Sequence, residues 1–95
     1  MSEPASQIFF HLARASDGAV YAYETPDGPT VPFFSSMTLA RAAIDAAGLA
    51  GIGVGVISPT QMSAFSASCL AAGARFLQLD PLPQDLASMA RYLGG

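Results

Sequence analysis

The 95-residue sequence predicts a mixed α/β (α+β) domain in the order βββαβαβα, spanning residues 1–95 as one unit. Three observations carry the prediction. The first third alternates with period two between turn signals. After Phe34 the apolar spacing changes to that of a helix. Beyond Gly48, two short apolar runs are each followed by a helix-like segment; together with the strand and helix before Gly48 they make two β-α-β units long enough to join parallel strands.

Gln7 to Arg14, "QIFFHLAR", is read as the first strand, with Ile8, Phe10 and Leu12 on one face and Phe9, His11 and Ala13 on the other. Asp17-Gly18 is a turn signal, because glycine takes positive φ without strain. "AVYAYET" is the second strand, placing Tyr21 and Tyr23 on one face, and "PDGP" turns the chain into "TVPFF". Those three form an antiparallel meander. Pro32 lacks an amide donor and is expected at a sheet edge or strand start.

Met37, Ala40, Ala43, Ile44 and Ala47 recur at helical spacing, and Gly48 is the expected C-cap. "GIGVGVI" is a fourth strand. Its glycines at 51, 53 and 55 share one face, where a helix or another backbone can approach closely. Ser58-Pro59 opens a second helix with Met62, Phe65, Cys69, Leu70 and Ala72 as its buried stripe, ending at Gly73. "ARFLQL" is a fifth strand. A last helix is expected from Pro83, with Leu86, Met89, Ala90 and Leu93 on one face, Asp85 near its start and Arg91 near its end suiting its dipole.

Composition excludes several partners. The net charge is −3, with four arginines spread along the chain and no lysine; nucleic-acid binding needs clustered cations against phosphates. No charge lies between Ala46 and Ala74, but Pro59, Gln61 and five hydroxyl residues interrupt that span, so no membrane segment is expected. "MSEPASQ" has no basic stretch before an apolar one, so no signal peptide is expected either. A lone Cys69 fits a reducing cytoplasm. Hydrophobic residues make up 52% and charged residues 12%, against about 25% charged in an ordinary domain. Such a surplus in a small chain leaves apolar patches outside, and a homodimer is expected.

The chemistry-bearing residues are few. Ser35 or Ser36 is expected to cap the helix after Phe34. If strands three, four and five run parallel, the helix starts at Ser35/Ser36, at Ser58/Thr60 and after Asp80 share one rim. Free amides would then converge on a crevice able to take a small anion or polar molecule, although Asp80 would oppose an anion. "GIGVG" lies within a strand rather than in the turn after it, so it is no phosphate loop. One His and one Cys make no zinc site, and no cofactor is expected. Cys69 reads as a small buried hydrophobe. Asp17, Asp27 and Asp85 read as turn or helix-start residues. The ending "YLGG" is similar to the tails of ubiquitin-like carriers, but it follows a predicted helix, and helix termination by glycine accounts for it better.

Three stretches, "TVPFFSSMTLARA", "VGVISPTQMSAFSASCLAAG" and "ARFLQLDPLP", together resemble the N-terminal domain of SseB-like proteins. In that family a strand of Val/Leu-Pro-Val-Phe-Thr/Ser character leads into a helix, a later strand ends near a proline, and a closing strand ends in Asn/Asp-Pro. Val31 to Ser36, Ile57 to Pro59 and Leu79 to Pro81 carry these features here. The resemblance implies an α/β fold and supplies no reaction. The expected function is a non-catalytic protein-interaction or regulatory module that self-associates, with a further protein partner allowed. The alternative is a small-molecule or anion-binding domain using Ser35, Ser36, Ser58, Thr60 and Asp80. A small hydrolase or transferase recruiting Asp80 or His11 is the third reading.

Overall fold

The computed structural model describes residues 8–86 and 90–93. Gln7, Met89, Gly94 and Gly95, and the side chain of Asp85, lie outside the described residues, and so do the expectations attached to them. The architecture is α+β: one mixed six-stranded sheet with a helix packed on each face. The elements in chain order are β1 (Phe9–Arg14), β2 (Val20–Thr25), β3 (Gly28–Phe34), α1 (Met37–Ala47), β4 (Ile52–Ile57), a 3-10 turn (Pro59–Gln61), α2 (Met62–Ala71), β5 (Phe76–Leu79), α3 (Pro83–Leu86) and β6 (Ala90–Leu93).

The N-terminal meander forms with one refinement. β1 and β2 meet only at Ala13 opposite Val20, where Gly18 takes φ 77° and Asp17 accepts the Ala19 amide at 3.1 Å. The two strands then lie end to end along one edge of β3, Phe10 and His11 opposite Phe34 and Phe33, Tyr23 to Thr25 opposite Thr30 to Gly28. Beyond β1 lies antiparallel β4 and beyond β2 antiparallel β6; β5 runs parallel to β3 on its other edge.

Pro32 is therefore in an inner strand, not at an edge. The Pro29 and Phe33 carbonyls accept from Arg75 and Asp80 next to β5, so Pro32, of opposite parity, turns its nitrogen to the other edge. That edge is where β3 changes partner from β2 to β1, and no ladder pair falls on Pro32. The missing donor costs no bond there.

The two faces bury different side chains. Leu12, Tyr21, Tyr23 and Phe34 pack against Ala40 and Ala43 of α1 and against Leu86. Helix α1 begins where Ser36 accepts the Leu39 amide at 3.1 Å and ends at Gly48, φ 69°. Met37, expected on its buried stripe, is exposed. The other face holds Ala22, Val31, Cys69, Ala74 and Leu93, with Phe65 and Leu77 beside them. Of the stripe expected on α2, only Cys69 is buried, while Leu70 is 51% exposed and Ala72 is outside as well. Apolar residues lie all round this helix, so periodicity could not choose its inner side.

The closing helix differs most from expectation. It is described over Pro83–Leu86, and Ala90–Leu93, expected within it, instead forms a strand along β2. Tyr92 meets Tyr21 edge-on at 5.8 Å on the α1 face, whereas Leu93 joins the α2 face. Adjacent residues serving opposite faces is strand periodicity. Arg91, expected at a helix C-terminus, pairs across strands with Glu24 at 2.9 Å.

Candidate functional site

The rim follows from strand direction. β1 is antiparallel to both β3 and β4, and β5 is parallel to β3, so β3, β4 and β5 all end on one side of the sheet. The registers fix the sequence along that rim: Ile57 beside Phe9, Phe10 beside Phe34, and Phe33 beside Leu79. The five rim residues named from the sequence thus stand in two groups, with β1 between them.

In the first group Asp80 turns back on Ser35. Its carboxylate accepts the Ser35 amide at 2.9 Å and the Ser35 hydroxyl at 2.8 Å, while its own amide donates to the Phe33 carbonyl at 2.8 Å. Asp80 sits at φ 48°, a conformation Asp tolerates better than most residues. This clasp ties the end of β5 to the start of α1. Ser36 is occupied as the cap of the helix, its hydroxyl accepting the Leu39 amide. Beneath the clasp is an almost wholly apolar cavity of about 170 Å³ between Phe34, Leu39, Ala43, Pro81 and Leu82.

In the second group Ser58 and Thr60 share a hydroxyl contact at 3.2 Å, and the Ser58 amide donates to the Gln61 side chain at 3.3 Å. Ser58-Pro59 opens a 3-10 turn, and α2 starts only at Met62. After Asp80 the rim leads into α3 only from Pro83, with Pro81 and Leu82 intervening. One long helix, α1, begins directly at the rim.

Between the end of β4 and α2 lies an open cleft of about 290 Å³ lined by His11, Val56, Ile57, Gln61, Phe65 and Ser68. The His11 ring lies 4.9 Å from the Phe65 ring and directly over Gly55, its cross-strand partner. A Cβ at Gly55 would sit 2.8 Å from His11 Cε1 and closer still to Nε2, while one at Gly53 would meet nothing within 4 Å. What approaches the glycine face is thus an imidazole, not a helix or a backbone. Burial pushes the His11 pKa below its ordinary value, with the Leu12 backbone acting weakly the other way. Its Nδ1 is buried without a hydrogen-bond partner among the described residues. Sequence reading named His11 without its setting; the available signal was a histidine and an alternating glycine run on strands that pair.

Asp80 is hydrogen-bonded to Ser35, and the His11 ring lies tilted against Phe65. Burial raises the Cys69 thiol to about 11, which leaves it un-ionised at neutral pH. Among the described residues no three His, Cys, Asp or Glu side chains gather where a metal could sit. No helix among them is long and apolar enough to cross a membrane. Comparisons with protein-family models, with curated proteins and with solved structures give no match.

Proposed function

We propose that the chain is a non-catalytic protein-interaction or regulatory module of the SseB-like N-terminal kind, working in the cytoplasm and associating with a second copy of itself. The supporting observation is its exposed apolar side chains: Leu82 is 59% exposed, Val56 57% and Leu39 46%, with Met37, Leu70, Phe76 and Leu79 outside as well. Large apolar side chains left outside in a small domain give it surface to bury against a partner. The anion-binding alternative would require Asp80 to give up Ser35, since that carboxylate already occupies the donors an anion would use.

Sedimentation velocity over a dilution series tests the reading. A mass rising with concentration from monomer to twice that value is the expected result, and monomer mass at every concentration overturns it. A rise in melting temperature with inorganic phosphate, lost in Ser36→Ala, would favour the alternative instead.

A further inference from the structure

We infer that the outer edge of β4 is the surface through which two copies of this chain join, strand against antiparallel strand about a two-fold axis at Val54. The inference rests on the self-association reading and assigns its interface.

Hydrogen-bond parity shows which groups are available. Ala15 donates to the Gly51 carbonyl at 2.8 Å, continuing the β1–β4 ladder, in which His11 faces Gly55 and Ala13 faces Gly53. In an antiparallel ladder, bonded and non-bonded pairs alternate. Gly53, Gly55 and Ile57 therefore bond inward to β1, and Ile52, Val54 and Val56 direct their N–H and C=O groups outward. No strand among the described residues lies beyond β4, so these groups form an open template for a further strand.

Three strands, β4, β5 and β6, each have one strand partner among the described residues, and they are protected unequally. β6 is four residues long and carries Arg91. β5 has four residues, follows Arg75, and is closed by Asp80 at positive φ and by Pro81. Short length, charge and proline are the usual means of blocking an edge. β4 has six residues and no charge within it or beside it. Pro59 follows it at the same distance as Pro81 follows β5, so length and charge are what separate β4 from β5.

The occupant is a second copy because the strand is self-complementary. A two-fold contact sets each residue against its counterpart across the axis. Read outward from Val54, the sequence runs Gly53 and Gly55, then Ile52 and Val56. Antiparallel pairing about Val54 places Val54 against Val54 and Ile52 against Val56, all β-branched pairs on one face. It covers Val56, the exposed member of that row. Gly53 falls opposite Gly55, where the backbones come closest. With no charge from Ala46 to Ala74, nothing on the strand repels its twin.

The test compares Val56→Lys with Leu70→Lys, a similarly exposed apolar site on α2, by sedimentation velocity and by hydrogen exchange on the unaltered protein. Lysine at position 56 enters the contact at two symmetry-related places, so the dimer dissociation constant should rise about tenfold or more, with Leu70→Lys unchanged. Exchange at the Ile52, Val54 and Val56 amides should slow as the protein is concentrated, a readout that stands even if Val56→Lys fails to fold. If the unaltered protein dimerises but Val56→Lys does so equally well, or those amides exchange at one rate at every concentration, the β4 interface is wrong and self-association stands. A protein that never dimerises overturns both.

Discussion

The two faces of the sheet are built from the same chain by different means. On the α1 face, long side chains from β1, β2 and β3 meet a helix whose apolar positions form one stripe, capped at Ser36 and Gly48. Tyr21, fully buried, donates its hydroxyl to the Leu86 carbonyl at 2.8 Å, so even its polar atom is satisfied. On the α2 face small residues dominate, the helix is apolar all round, and a cavity of about 110 Å³ remains between Phe65, Cys69, Ala72 and Leu93. The α1 side has its own cavity, of about 170 Å³, but at the rim between Phe34, Leu39, Ala43 and Leu82. Leu12 and Tyr21 line neither cavity, whereas Leu93 lines the one under α2. The two faces thus differ in whether their central side chains border empty space.

The same substitution on each face should measure the difference most strongly. Leu12→Ala should cost about 4–5 kcal/mol and Leu93→Ala about 2–3, because the cost rises with the void left after relaxation. Leu12 is fully buried among aromatic rings, whereas Leu93 already borders empty space and loses fewer contacts. Urea unfolding of the two variants checks this, and equal losses would mean the faces are equally well packed.

A smaller effect separates two glycines on the α2 face. Gly55→Ala drives a methyl into the His11 ring and should destabilise by about 1–3 kcal/mol, the usual cost of overpacking. Gly53→Ala meets nothing and should stabilise by about 0.5–1 kcal/mol through the lost freedom of glycine in the unfolded chain. Combining Gly55→Ala with His11→Ala should restore most of the loss, because the clash then has no second partner. Thermal melts of the four proteins decide it.

What could be read in the sequence follows the same division. The α1 face was legible because its signals are local: alternation in β1 and β2, a serine before a helical stripe, and Gly48 after it. The common rim was legible too, since crossovers through α1 and α2 return strands in one direction. Three things were hidden. The inner side of α2 has no periodic signal. Residues 90–93 became a strand because β2 offered an unpaired edge, a fact of tertiary structure that no local window contains. Pro32 stands mid-sheet because β3 changes neighbours there, which only the register reveals. At the site, Ser36 was readable as a cap, but the Ser35–Asp80 clasp joins residues 45 apart and has no local signature.

The smallest effect concerns the one histidine, and its sign follows from linkage. Burial holds the folded His11 pKa below its ordinary value of 6.5, so between the two values the unfolded chain binds a proton that the folded chain does not. Stability then rises with pH across that interval. It is fully present above 6.5 and lost as pH falls through the native value. Asp17, lowered to about 2 by Arg14, loses its contribution in the separate window below 3.8. His11→Phe keeps a ring against Phe65 and removes the proton. Urea midpoints of the native protein should therefore drop as pH falls from 7 to 5, and those of the variant should stay level. If both slope alike, the imidazole is wetter than its position over Gly55 implies, and the α2 face is open there even to a charge.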